Sequence, residues 1–339
     1  MQITREKEHR RNYKLETLLR ELNDTLWISE KTAISEYGEP QFPILLVVGC
    51  ARSGSTLLMQ WLSDLGIFCY PSNLISRFYK APYIGALIQK MLTDPKFAFA
   101  DELKEFKFLK IDYKSNLGKT KGVLSPHIFL YFWRRFFNYG EIQKLDESAL
   151  ESIDHKTFLS ELAALESVFD KPLALKAMIM NWEITYLNKI FSKFIFLHIK
   201  RDPLQNAQSL LRARKDFYGI VENWYSYKPP EYPFLKELNP YEQVAGQIYF
   251  TNKAISEQLS KIKKDQWLEI DYSSFCNQPE SYYSQLLSKL KQMYEEVNIP
   301  YSGPEKFEES KSITLNNDEI AIITNKYKEF NNFNSDTSK

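Results

Sequence analysis

Residues 44–58 read ILLVVGCARSGSTLL, and the kind of phosphate such a loop can hold decides what sort of fold carries it. Ile44 to Val48 form an apolar run with no polar interruption, as expected of a strand buried on both faces of a parallel sheet. Gly49 to Thr56 keep the spacing of the triphosphate loop, G-x-x-x-x-G-K-[ST], but Ser55 stands where that loop has its lysine. Arg52 supplies a cation three residues earlier, and a helix is expected over 55–65. A strand, a glycine turn and a helix start together aim backbone N–H groups at an anion, and the helix dipole adds to the attraction. Gly54 permits the turn, Ser53, Ser55 and Thr56 add hydroxyl donors, and Arg52 can fork onto two oxygens. Triphosphate chemistry would also require a magnesium ion on a Walker-B acid. The other expected strands end in no obvious acid of that kind, so a single phosphate neutralised by arginine suits the loop better.

Working outward, further strands are expected at 67–70, 172–176, 194–199 and 267–270. Helical periodicity runs over 84–93, 128–138, 156–169, 204–214 and 241–263. Strands alternating with helices imply an α/β fold: one three-layer domain with a central parallel sheet flanked by helices. The stretch FIFLHIKRDPLQNAQSLLRAR repeats the logic of the first loop. Arg201 stands where a buried strand ends, Pro203 suits the first turn of a helix, Asp202 can cap it, and Ser209 lies about two turns along. This is either a second anion site or a plain capped turn. Ligands gather at the carboxyl ends of parallel strands, which favours the first.

These two stretches resemble the sulfotransferases that use 3′-phosphoadenosine 5′-phosphosulfate (PAPS). GCARSGSTLL looks like their 5′-phosphosulfate loop, closest to the bacterial and tyrosylprotein branch, and FIFLHIKRDP with Ser209 looks like their 3′-phosphate motif. The resemblance implies a donor held without metal and released as 3′,5′-adenosine bisphosphate. It implies that Arg52, Ser53, Gly54, Ser55 and Thr56 hold the 5′ side, and Arg201 and Ser209 the 3′-phosphate. Tyr272, in EIDYSSF, resembles the family's segment beside the adenine, although Ser273 replaces the usual acid; a core tyrosine is the other reading.

For catalysis, cations must meet the charge that develops on the transferring group. Arg52 is the first candidate. Lys176, ending PLALK, is the second by resemblance, its alternative being a strand-end lysine that snorkels. The glutamate that serves as base in the tyrosylprotein enzymes falls on Asn73 here, a departure. His127, after a proline and before an aromatic helix, is the leading candidate base or else a structural histidine; Asp112 is the fallback. Tyr131 to Phe137 either stack on a sugar or fill a core, and the loop containing NWYSYKPPEYPF is a candidate substrate lid.

The composition agrees with an ordinary globular enzyme. With 44 basic and 43 acidic residues the net charge is +1, without the basic excess of a nucleic-acid binder. Cys50, Cys69 and Cys276 fit neither a disulfide framework nor a metal site and read as small buried fillers. No apolar run approaches the ~20 residues of a membrane helix, and the charged first residues lack a signal peptide's apolar region. A cytoplasmic location is therefore expected. The expected organisation is a helical extension over 1–40, the α/β domain over 41–330 and a flexible tail over 331–339, with the oligomeric state open. The expected activity is sulfuryl transfer to a hydroxyl or amine of a carbohydrate, lipid-linked or small-molecule acceptor. A P-loop kinase, or an inactive nucleotide-binding protein that kept the cradle and lost the base, is the alternative.

Overall fold

The structure, a computed structural model, describes residues 5–97, 113–294, 299–309 and 311–333. Its strands are β1 (Ile44–Val48), the short hairpin pair β2 (Ser115–Asn116) and β3 (Lys119–Thr120), β4 (Ala174–Lys176), β5 (Phe194–Lys200) and β6 (Trp267–Asp271). The first helices are α1 (Tyr13–Ala33), α2 (Ser55–Asp64), α3 (Pro82–Thr93), α4 (Leu130–Phe136), α5 (Glu147–Glu151), α6 (His155–Phe169) and α7 (Ile184–Ile190). They are followed by α8 (Pro203–Tyr218), α9 (Tyr232–Leu235), α10 (Pro240–Leu259), α11 (Tyr272–Asn277), α12 (Pro279–Lys291) and α13 (Asn317–Phe333).

β1 lies inside a parallel sheet ordered β4, β1, β5, β6, with Leu46 opposite Leu175 on one side and Phe196 on the other. Every β1 side chain is buried because the sheet is covered twice. Ile44, Leu46 and Val48 meet Phe132 and Trp133 of α4, Phe158 and Leu162 of α6 and Leu187 of α7. Leu45 and Val47 meet Leu58 and Leu62 of α2, Phe275 of α11 and Leu286 of α12. The result is the three-layer α/β fold, and the unbroken apolar run in the sequence is its direct consequence. The aromatic run 131–137 therefore divides: Phe132, Trp133 and Phe137 belong to the core, Tyr131 is exposed, and Arg135 is spent on a bidentate pair with Glu161 at 2.8 Å.

The strand expected at 67–70 is reduced to one parallel bridge, Cys69 to Leu173. Gly66, at φ 70°, turns the chain just before it, and Pro71 follows at once with no N–H to continue a ladder. The three cysteines are buried, as the sequence suggested.

Leucines contribute little to the packing of α1, since Leu18 is 61% exposed and Leu19 is the helix's buried leucine. Buried polar groups dock α1 instead. Asn23 donates to the Arg77 carbonyl at 2.7 Å and accepts from the Lys80 N–H at 2.7 Å. Glu30 accepts from the Tyr83 and Ile84 N–H groups at 2.7 and 3.0 Å, satisfying the first turn of α3, which has no cap of its own.

Candidate active site

β1 hands the chain at Gly49 to a loop that is gripped from outside. Asn181 uses both ends of its amide: Gly49 N–H donates to Oδ1 at 3.2 Å, and Nδ2 donates to the Gly49 carbonyl at 2.9 Å. Asn206 on α8 donates to the Ala51 carbonyl at 2.8 Å. Arg52 (φ 66°) and Gly54 (φ 104°) are left-handed and turn the chain sharply into α2. Gly54 is also required by space, because a Cβ there would lie 2.2 Å from the Tyr272 ring.

The loop residues then reach outward to three other elements. Arg52 Nε donates to Ser209 Oγ of α8 at 3.2 Å. Lys176, at the end of β4, donates to Thr56 Oγ1 at 2.8 Å. Arg201, just past β5, lies 4.7 Å from the centre of the Tyr272 ring and donates from Nε to Gln205 Oε1 at 3.4 Å. Asp202 caps α8 by accepting from the Gln205 N–H at 2.9 Å, with Pro203 in the first turn. Ser55 Oγ is committed to Met178 Sδ at 2.9 Å, whereas Ser53 Oγ is buried with no protein partner among the described residues.

Burial holds the Arg52 guanidinium below its ordinary value, and the charge of Arg201 acts in the same direction. Burial, and then the charge of Arg52, draws the Lys176 ammonium down to about 7. Like charges brought together out of water in this way call for an anion. Two cavities meet at this point. One, of about 680 Å³, is lined by Ser209, Gln208 and Thr314; the other, of about 390 Å³, by Thr56, Lys176, Met178 and Tyr227. Arg52, Arg201 and Tyr272 line both, so the two arginine-bearing strand ends open onto one cleft.

His127, the leading candidate base, has one ring nitrogen already engaged. The Phe129 N–H donates to its Nδ1 at 2.9 Å. Burial, followed by the charges of Arg77 and Lys176, pulls the ring down to about 4. A neutral imidazole that accepts at Nδ1 keeps its proton on Nε2, where it can only donate. The residue also lines neither cavity. In this arrangement His127 closes the turn before α4, which speaks against its serving as the base. Asp112, the fallback, lies outside the described residues. Asn73 turns its amide to the β2–β3 hairpin, donating to the Gly122 carbonyl at 2.8 Å.

Asn181 and Asn206 escaped the sequence reading, and no local pattern marks them. They matter because β4 and α8 converge on the end of β1. The Tyr225–Tyr227 segment, part of the suspected lid, lines the smaller cavity. Among the described residues no cluster of three or more His, Cys, Asp or Glu side chains is placed to hold a metal ion, and no helix is long and apolar enough to cross a membrane.

A phosphate-type loop between a buried strand and a helix, ringed by cations at the carboxyl edge of a parallel sheet, defines a three-layer α/β protein with a cationic cleft. The chain belongs to the sulfotransferase family, whose model matches residues 43–296. No curated protein sequence matches it. Among solved structures it is similar to the sulfotransferase STF9 from Mycobacterium avium, at 13% identity and a TM-score of 0.50, over 90% of this chain and 72% of that one. STF1 from Mycobacterium tuberculosis H37Rv matches at 11% identity and a TM-score of 0.49, over 89% and 75%. The sulfotransferase domain of the Synechococcus PCC 7002 olefin synthase matches at 17% identity and a TM-score of 0.40, over 86% and 96%. At 13% identity the likeness to STF9 is one of fold.

Proposed function

We propose that the chain moves a sulfuryl group from PAPS to a hydroxyl or amine of a small-molecule, carbohydrate or lipid-linked acceptor, releasing 3′,5′-adenosine bisphosphate. The reaction is placed in the cytoplasm. In this reading residues 41–330 form the catalytic unit and 1–40 a helical extension. The observation that supports it most is the Arg52–Ser209 hydrogen bond, 3.2 Å long, which ties the loop read as the 5′ seat to the helix read as the 3′ seat. A ligand with anions at both ends of one ribose needs two such seats at a fixed separation. A triphosphate needs one.

The donor supplies an activated sulfuryl group. Ser53, whose buried hydroxyl lacks a protein partner among the described residues, and the turn at Gly54 to Thr56 suit its 5′ side, while Arg201 and Ser209 suit the 3′-phosphate. Tyr272 packs over Gly54 and Arg201 where both cavities meet, which fits a ring beside the nucleoside. Negative charge grows on the oxygens around sulfur as the transfer proceeds, and Arg52 and Lys176 present positive charge there without having to reorganise. The acceptor is assigned to the smaller cavity, beside Lys176.

The test is direct. Adenosine bisphosphate raises the melting temperature without magnesium, whereas ATP with magnesium does little. Incubation with labelled PAPS and a host extract then yields a sulfated product identified by mass. Stabilisation that required magnesium and ATP would overturn the reading in favour of a kinase. Bisphosphate binding with no labelled product from any extract would mark an inactive nucleotide-binding protein.

A further inference from the structure

The β2–β3 hairpin stands between the two cavities. Leu117 (φ 47°) and Gly118 (φ 82°) form its turn, both left-handed, the geometry that matches the twist of a two-residue hairpin. Its tip rests on the phosphate loop, since a Cβ at Gly118 would lie 3.5 Å from Thr56 Oγ1. Ser115 and Leu117 line both cavities, Asn116 the larger, and Gly118 and Lys119 the smaller, so the hairpin is the partition.

Within its own root, Thr120 Oγ1 donates to the Pro126 carbonyl at 2.9 Å, and among the described residues Tyr225 and Asn73 also fasten it. On the far side of the cleft, Tyr225 Oη donates to the Leu117 carbonyl at 3.1 Å. At the root, Asn73 Nδ2 lies 3.3 Å from the Thr120 carbonyl, 3.2 Å from Thr120 Oγ1 and 2.8 Å from the Gly122 carbonyl. A pair of two-residue strands is marginal alone, so these bonds decide where the tip sits.

We propose that Asn73 and Tyr225 are positioning residues that hold the Ser115–Thr120 hairpin as a flap over the sulfuryl seat at Thr56, keeping water from the donor until an acceptor enters beside Tyr227. This rests on the sulfuryl-transfer reading above. It also gives Asn73 a function that a carboxylate could not perform, because an ionised acid has no N–H to offer the two carbonyls. When the flap is loose, water replaces the acceptor. A water oxygen bonds to sulfur, and the bond from sulfur to the bridging oxygen breaks, leaving its electron pair on the bisphosphate. The protons of the water pass to solvent, and free sulfate is released.

The experiment measures free sulfate released from labelled PAPS without acceptor, in the wild type and in Asn73→Ala and Tyr225→Phe, with adenosine bisphosphate binding measured on the same samples. Both variants are expected to release sulfate about fivefold faster, the weight of roughly one net hydrogen bond, with bisphosphate binding retained. A purely structural residue would lower stability without raising this uncoupled rate. If Asn73→Ala fails to fold, Tyr225→Phe decides alone, since it removes one hydroxyl and keeps the packed ring. Unchanged sulfate release with bisphosphate still bound overturns the flap and spares the functional reading. A wild type that does not bind the bisphosphate overturns both.

Discussion

Arg52 Nε donates to Ser209 Oγ across 3.2 Å, a contact between side chains 157 positions apart in the chain. That bond makes one cleft out of two motifs. Arg52→Ala is expected to lower turnover by about 10²- to 10³-fold, the usual weight of one donor to developing oxyanion charge. Ser209→Ala, which removes a hydroxyl and leaves the cation, should weaken donor binding several-fold with turnover largely kept. Steady-state kinetics with PAPS separates the two, and equal losses in kcat would show that Ser209 does more than bind.

Lys176 is expected to give the proposed reaction its alkaline limit. Burial and the charge of Arg52 bring it to about 7 from an ordinary 10.5, so in the free protein the ammonium is lost as pH rises through 7. kcat/KM should fall on that limb. In kcat the limb should move upward, because a bound anion favours the charged form. For stability the sign is opposite. The unfolded chain binds the extra proton between about 7 and 10.5, so the penalty of this burial shrinks as pH climbs through that window. A Lys176→Met variant whose kcat/KM profile kept the same alkaline limb would remove Lys176 from it.

Glu183 works in the other direction. It is 2% exposed, accepts from the Leu145 N–H at 2.8 Å and from Tyr139 Oη at 3.2 Å, and burial raises it to about 8 from 4.5. Between those values the folded chain holds the proton and the unfolded chain does not, so this group's contribution is present at pH 5 and lost by pH 9. Denaturant unfolding of the wild type and Glu183→Gln across that range should show the difference between them shrinking, or reversing against the wild type, as pH rises.

Gly54 has no room for a side chain. Gly54→Ala places a methyl 2.2 Å from the Tyr272 ring at a φ of 104°, so the loop must shift. Bisphosphate binding, read by thermal shift, should be lost. Adding Tyr272→Ala should restore part of it by removing the clash but not the backbone strain.

His127→Ala should act on stability and not on the shape of the pH–rate profile, because it strips the Phe129 N–H of its acceptor, a change worth about 1–3 kcal/mol. Loss of an acid limb in kcat/KM in this variant would return His127 to the list of bases.

Much of this was legible locally. A buried parallel strand has no polar face, so Ile44 to Val48 announced itself, and the glycine, arginine and hydroxyl spacing after it is a property of consecutive residues. Arg201, Pro203 and Ser209 were readable for the same reason, as a strand end and one helix face. The strand at 67–70 misled because apolar residues between a glycine and a proline look like a strand whether or not neighbours pair with them. The docking of the first helix was not legible, because Asn23 and Glu30, polar residues that look like surface, are the buried groups that hold it.

The chain's own order of residues thus determined the sheet, the phosphate loop and the second arginine motif, since each depends on side chains a few positions apart. What only the folded molecule decided was which distant groups meet. Asn181 and Asn206 hold the loop, His127 is spent on a turn, Asn73 fastens a hairpin, and Lys176 loses its ordinary basicity. Each of these follows from parallel strands whose carboxyl ends gather residues from across the chain into a space with little water, where partners and charges are set by geometry that no stretch of sequence contains.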